Sequence, residues 1–108
     1  MERELAKLKG FDIWKEDHGI MVMAGSFYYE GGSCQGFGYC INMEFVDGLM
    51  EVFFAEKLQQ INGKSCWVTR DNDRKIIKLE PLHKEDGRVF DITQWIKNCE
   101  KKSKSKGK

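Results

Sequence analysis

The sequence lacks a long apolar run, which argues against a membrane-spanning protein. No stretch reaches the roughly 18 apolar residues that a transmembrane helix needs. The first four residues carry charges of both signs and lack the apolar segment of a secretory signal. We therefore expect a cytoplasmic protein. Its 108 residues, 41% of them hydrophobic, suit one folded domain.

Histidine is scarce, and the common catalytic motifs are missing. The two histidines, His18 and His83, stand apart in polar segments. There is no Gly-x-Ser-x-Gly, no His-Glu-x-x-His, and no phosphate-loop lysine after the glycines. We therefore expect neither an enzyme nor a bound cofactor.

Cysteine is limited to four residues, and their spacing does not suit zinc. Zinc ligands usually come in pairs separated by two to four residues, whereas Cys34 and Cys40 have five residues between them. Without a secretory signal we expect reduced thiols, mostly buried as small apolar side chains, and no metal site. The other two cysteines are Cys66 and Cys99.

Charge is divided unevenly between body and tail. The net charge of +1 includes five lysines in the last eight residues, so positions 1–100 hold 13 basic and 17 acidic residues, a net charge of −4. A Lys/Ser/Gly tail has little to bury. We expect one domain over residues 1–98 and a disordered basic tail over residues 99–108, which either aids solubility or tethers nucleic acid.

The residue pattern predicts an α+β fold with a mostly antiparallel sheet, one main amphipathic helix and a C-terminal helix. Strands are predicted at residues 11–14, 20–29, 35–41, 64–69 and 75–80, with the last ended by Pro81. Both alternating sets of residues 20–29 are apolar, so both faces should be covered. Residues 2–9 fit either a short helix or an extended lead-in.

Two capping residues mark the predicted helices. Asn42 precedes an amphipathic helix over residues 43–55, and a short second turn follows it up to Asn62-Gly63. Asp91 precedes the C-terminal helix. The side chains predicted to face the core are Met43, Val46, Met50 and Phe53, flanked by Phe45, Leu49 and Val52, in the first helix, and Ile92, Trp95 and Ile96 in the second.

Residues 31–40 combine four glycines with two aromatic residues and two cysteines. Glycines this dense mark backbone that bends or is closely approached. The pattern predicts a hairpin tip over residues 30–33, followed by a glycine-bearing strand. Backbone amides at the tip could form an anion nest for a phosphorylated signalling molecule.

Two charged surfaces are candidates for partner binding. Glu44, Asp47 and Glu51 share one face of the main helix, with Glu56 just beyond it, and no basic residue lies between positions 42 and 56. Such a face suits an arginine-rich partner, and it also suits a solvated helix. The second surface is the hairpin over residues 64–80. Its candidate nucleic-acid contacts are Lys64, Trp67, Arg70, Arg74 and Lys75.

The motif Gly-Gly-x-x-Gln-Gly-Phe-Gly, followed by an apolar and acidic helix and then Asn-Gly-Lys before a strand, resembles small uncharacterised phage and prophage proteins. Two positions depart from the pattern: Gly38 is followed directly by the tyrosine that the pattern has nearby, Tyr39, where a second glycine is expected, and Asn42 stands where aspartate is common. The matching residues are Gly31, Gly32, Gln35, Gly36, Phe37, Gly38, Tyr39, Phe45, Leu49, Val52, Gly63 and Lys64.

The resemblance implies a phage setting in a bacterial host. Small phage proteins without catalytic residues commonly bind host proteins, so we expect an anti-defence inhibitor of the anti-CRISPR kind. Its partner would be a host defence protein such as a CRISPR effector. The alternative is a nucleic-acid-binding phage accessory protein that uses the basic hairpin and the lysine tail.

Overall fold

One curled antiparallel sheet carries the fold in the computed structural model, which describes residues 3–83, 85 and 87–106. The sheet order is β3-β2-β1-β4-β5-β6. The strands are β1 (Arg3–Lys15), β2 (Met21–Tyr29), β3 (Cys34–Cys40), β4 (Ser65–Arg70), β5 (Ile76–Pro81) and β6 (Phe90–Asp91). The helices are α1 (Met43–Phe53) and α2 (Ile92–Lys106), with a 3₁₀ helix over Leu58–Ile61. The predicted α+β class is confirmed.

β1 lies at the centre of the sheet and covers two segments that were predicted separately, the lead-in up to residue 9 and the strand at residues 11–14. It pairs with β2 on one side and β4 on the other, so residues 3–9 are extended and the helical alternative for them is wrong. The register with β2 shifts between Lys9 and Asp12, where Gly10 adopts φ +67°, as expected of a bulge. The bulge changes which alternate residues face inward, so Leu8 and Phe11 are both buried.

The core lies between one face of the sheet and the two helices. Along β2, Met23, Phe27 and Tyr29 are buried, whereas Tyr28 is 46% exposed. Val22, Ala24 and Ser26 on the Tyr28 side are only partly buried. The prediction that both faces of this strand are covered is therefore wrong, because the buried side chains of both helices join a single cluster on one side. We call the open side the outer face.

α1 begins at the predicted cap. The Asn42 side-chain oxygen accepts a bond from the Phe45 N–H at 3.0 Å and another from the Trp95 indole N–H at 3.0 Å. Asn42 therefore fixes the start of α1 and its contact with α2 together. Met43 is 71% exposed, contrary to the prediction, because it lies at the first turn beyond the core. The buried residues of α1 are Phe45, Val46, Leu49, Val52 and Phe53.

α2 also begins at its predicted cap, since Asp91 Oδ1 accepts from the Gln94 N–H at 2.9 Å. Ile92 and Trp95 are buried, but Ile96 is 39% exposed, so its predicted inward position is wrong. The helix continues to Lys106, past the predicted boundary at residue 98. Lysine is a good helix former, and no glycine or proline interrupts residues 92–106. The predicted tail also includes residues 107 and 108, which lie outside the described residues.

Neither described helix is long and apolar enough to span a membrane.

Candidate functional site

The exposed side of α1 carries the predicted acidic residues. Glu44 and Asp47 are exposed and Glu51 is half-buried, as expected for positions spaced i, i+3 and i+7. Glu44 lies in the first turn, where a carboxylate interacts favourably with the helix dipole. Glu56 is exposed beyond the end of the helix, with its N–H bonded to Gln60 Oε1 at 2.8 Å.

Asp91 joins Glu44, Asp47 and Glu51 in a groove between α1 and the start of α2. The groove encloses about 270 Å³, and its lining includes Glu44, Asp47, Glu51 and Asp91 but no basic side chain among the described residues. Phe90 lies against Gly48, where a Cβ atom would approach its ring to 2.8 Å. Glycine therefore allows this close contact between α1 and β6. We call Glu44, Asp47, Glu51, Glu56 and Asp91 the acidic surface.

Phe54, at the end of α1, is the least expected residue of this region. It adopts the left-handed conformation, with φ 52° and ψ 50°, and its side chain is 75% exposed. This conformation costs an ordinary L-residue about 1 kcal/mol, and glycine is the usual choice. Its ring lines a cavity of about 230 Å³ together with Asp47, Met50 and Glu51. An exposed aromatic ring therefore adjoins the acidic surface.

Lys64 lies at the same end of α1 and has a structural contact there. Its ammonium group donates to the Phe53 carbonyl at 3.3 Å. A cation at a helix C-terminus both satisfies a carbonyl and complements the helix dipole. This contact accounts for Lys64 without nucleic acid.

The glycine-rich tip contacts the loop between β4 and β5. Gln35 accepts a bond from the Tyr29 hydroxyl at 2.9 Å and donates to the Arg74 carbonyl at 2.7 Å. The Arg70 guanidinium lies 4.2 Å from the Tyr29 ring centroid and pairs with Glu4. Burial raises the pKa of Tyr29 to about 12, although nearby Arg70 opposes the rise. A cavity of about 450 Å³ lies beside these residues.

The structure does not bring the predicted nucleic-acid residues into one cluster. Arg70 packs on Tyr29 at the inner side of the sheet, whereas Trp67 stacks under Arg3. Lys64 contacts α1 through Phe53. Arg74 and Lys75 are exposed in the β4–β5 loop, where Arg74 has φ 65°.

Sequence reasoning missed a set of cations and aromatic rings on the outer face. The Arg3 guanidinium carbon lies 4.5 Å from the Trp67 ring centroid, and Lys9 Nζ lies 5.2 Å from that of Tyr28. Lys7 is exposed between them in β1. The alternation of basic residues at positions 3, 7 and 9 was visible, but assigning it to one face required knowing that these residues are a strand.

The four thiols are unpaired, but they are less buried than predicted. Cys34 and Cys40 are exposed, Cys99 is partly buried and Cys66 is buried. The expectation of mostly buried cysteines is wrong because Cys34 and Cys40 lie on the outer face of an edge strand. Burial raises the pKa of the Cys66 thiol to about 12. The described residues contain no group of three or more His, Cys, Asp or Glu suited to a metal ion.

The chain matches no protein-family model, no curated protein and no solved structure.

Proposed function

We propose that the protein is a non-enzymatic, phage-encoded inhibitor that binds a host defence protein in the cytoplasm through the acidic surface. The observation that carries this proposal is the placement of an exposed, left-handed Phe54 beside carboxylates on α1. Backbone strain of this kind persists where the surrounding structure enforces it, and it often marks a functional position. The partner surface would be basic and would include an apolar recess for the ring.

The carboxylates of the acidic surface and the neighbouring Phe54 ring contribute to different steps of binding. The carboxylates attract a basic protein surface and raise the association rate, which makes binding depend on salt. An aromatic side chain buried in a partner pocket slows dissociation, because such residues carry much of the energy of an interface. In the host partner, a basic groove between subunits that normally holds nucleic acid would match this acidic surface.

The first experiment retains host proteins on the immobilised chain and identifies them by mass spectrometry. Glu44→Lys with Glu51→Lys should weaken binding of the retained protein and reduce its salt dependence. Phe54→Ala should increase the dissociation rate with little change in salt dependence. Met43→Ala is the matched control, since Met43 is a similarly exposed apolar residue at the other end of α1.

The proposal fails if the charge reversals leave both affinity and salt dependence unchanged. It also fails if Phe54→Ala and Met43→Ala have equal effects, because the strained ring would then have no special role. Inhibition of the captured complex should follow binding across these variants.

The second candidate function is nucleic-acid binding, and the outer face favours it. Cations paired with exposed aromatic rings are the groups that hold single strands, through phosphate contacts and base stacking. The Arg3–Trp67 and Lys9–Tyr28 pairs supply both kinds of group on one surface.

Two double variants distinguish nucleic-acid binding by the outer face from nucleic-acid binding by the loop between β4 and β5. Lys7→Glu with Lys9→Glu should abolish retention of a single-stranded oligonucleotide if the outer face binds it. Arg74→Glu with Lys75→Glu should do so if the β4–β5 loop binds it, since both residues are exposed there. Glu44→Lys with Glu51→Lys should strengthen retention in either case. If neither double variant alters retention, the outer-face lysines and the β4–β5 loop do not bind the oligonucleotide, and this second candidate fails.

A further inference from the structure

The edge strand β3 lacks the usual defences against pairing with another strand. It pairs only with β2 among the described strands, so one side of its backbone is open. Natural edge strands are usually protected by charges, proline, bulges or a covering segment. Residues 31–43 contain no charged residue and no proline. The register between β2 and β3 is regular from Val22 to Tyr28.

The backbone groups on the open side of β3 come from the smallest residues of the strand. The Tyr29 N–H donates to the Ser33 carbonyl at 2.8 Å and the Ile41 N–H to the Met21 carbonyl at 3.0 Å. Because hydrogen-bonded pairs alternate along an antiparallel ladder, the odd-numbered residues of β3 bond to β2. The even-numbered residues therefore direct their N–H and C=O groups outward. These residues are Cys34, Gly36, Gly38 and Cys40, and all four are exposed.

The sequence of the open edge is symmetric about its centre. Reading Cys-x-Gly-Phe-Gly-x-Cys in either direction from Phe37 gives the same residue types. A twofold axis between two antiparallel copies of β3 centred on Phe37 places position 36 opposite position 38 and position 34 opposite position 40, so glycine faces glycine and cysteine faces cysteine. Even-numbered residues then face even-numbered residues, so the outward backbone groups of both copies are in register.

We infer that β3 is a self-association edge, at which a second copy of the chain adds its own β3 in antiparallel register centred on Phe37. The two sheets become one continuous sheet whose outer faces lie side by side. Cys34 of one copy lies opposite Cys40 of the other. Hydrogen-bonded antiparallel pairs have Cα atoms about 5.5 Å apart, within the range that a disulfide bridges.

The register is tested by disulfide trapping in a Cys99→Ser background, where Cys66 is buried in the core. Diamide takes two electrons and two protons from a pair of thiols, which form one S–S bond. The protein with both exposed cysteines should give a covalent dimer at high yield. Cys34→Ser alone and Cys40→Ser alone should give almost none, because each remaining thiol then faces serine.

Mixing the two single variants is the decisive measurement. A mixed pair places the Cys40 of one copy opposite the Cys34 of the other, so the mixture should recover the covalent dimer. The inference is overturned if either single variant cross-links as well as the mixture, since the thiols would then meet by collision. It is also overturned if the mixture does not cross-link.

A second test needs no cysteine chemistry. A Cβ atom at Gly36 or Gly38 would meet its nearest atoms at 3.6 Å, an ordinary contact, so both positions accept a side chain in the monomer. Gly36→Lys with Gly38→Lys places like charges opposite each other across the dimer. Sedimentation at concentrations up to about 300 μM should show concentration-dependent dimers for the parent chain. The dissociation constant of the dimer should be at least about tenfold higher for this variant.

The matched control is Lys7→Glu with Lys9→Glu on β1, which changes two charges of the outer face away from the edge. Circular dichroism and thermal melting should show that both variants keep the fold. A parent chain that stays monomeric throughout, or a control that dissociates as readily as the glycine variant, overturns the inference. These measurements involve no host partner, so their outcome is independent of the proposed function.

Discussion

At the scale of single residues, the left-handed backbone of Phe54 has a steric cost that the packing of its ring does not offset. Its backbone is left-handed and its ring is mostly exposed. A residue chosen for stability alone at this position would be glycine, which adopts positive φ without steric penalty.

Phe54→Gly should therefore stabilise the fold, by about 1 kcal/mol, while weakening partner binding. Urea unfolding measures the first effect, and binding to the captured partner measures the second. Gln59→Gly is the control, because Gln59 is exposed and has no positive φ, so glycine there should destabilise. A loss of stability in Phe54→Gly would mean that the ring has packing contacts that its exposure does not indicate.

Tyr29 gives a second residue-scale prediction, concerning alkaline pH. Burial raises its pKa from 10.0 to about 12 in the folded chain. Since the folded state holds this proton more tightly, the stabilisation is complete below about pH 10 and is lost as pH rises towards 12. The free energy of unfolding should fall across this interval. Tyr29→Phe should make the fall shallower, as measured by urea unfolding at a series of pH values.

Cys66 also makes the free energy of unfolding fall as pH rises, because burial raises the pKa of its thiol from 9.0 to about 12. The comparison between Tyr29→Phe and the parent chain therefore isolates the tyrosine. A parallel pair of pH profiles would show that the Tyr29 hydroxyl does not titrate differently in the two states.

At the scale of elements, Asn42 connects three parts of the structure through one side chain. It caps α1 through Phe45, accepts the Trp95 indole N–H and approaches Cys99 Sγ at 3.8 Å. Loss of a cap costs about 1 kcal/mol, and an unsatisfied buried donor adds about 1–3 kcal/mol.

Asn42→Ala should therefore destabilise the fold by about 2–3 kcal/mol in urea unfolding. Asn42→Asp should retain most of the stability because it keeps the accepting oxygen. Asp91→Ala, which removes a single capping bond of α2, should cost only about 1 kcal/mol. Equal losses in Asn42→Ala and Asp91→Ala would show that the bond to Trp95 contributes little.

Elements with a strong local signal were predictable from the sequence. The hairpin of β2 and β3, the start of α1 at Asn42 and the start of α2 at Asp91 all follow from local residue patterns. Residues 3–9 were ambiguous, because their composition suits a helix and only pairing with β2 and β4 makes them a strand.

The candidate site was predictable only in part, for a related reason. The spacing of Glu44, Asp47 and Glu51 places them together on one helix face without knowledge of the fold. Asp91 joins them only through the packing of β6 against α1. Nothing in the local sequence marks Phe54 as left-handed, since the usual markers of that conformation are glycine and asparagine. The outer-face pairs depend on strand register, which sequence periodicity alone does not supply.

At the scale of the whole molecule, charge separates the body from the tail. Positions 1–100 carry a net charge of −4, and the five lysines that follow bring the chain to +1. The acidic surface lies on the body, while α2 carries basic residues away from its buried first turns. The two proposed functions therefore respond in opposite directions to removal of the lysines.

Deleting residues 101–108 should leave the melting temperature nearly unchanged, because the deepest contacts of α2, those of Ile92 and Trp95, lie in its first turns. If the acidic surface binds a basic protein, the deletion should speed association, since it removes positive charge that repels the partner. If the chain binds nucleic acid, the same deletion should weaken retention and reduce its salt dependence. The measurement is the association rate with the captured protein and oligonucleotide retention, each at two salt concentrations. Replacing the five lysines by glutamine is the control, because it removes the charge and keeps the length. If this variant and the deletion differ in either binding measurement, the tail acts through more than its charge.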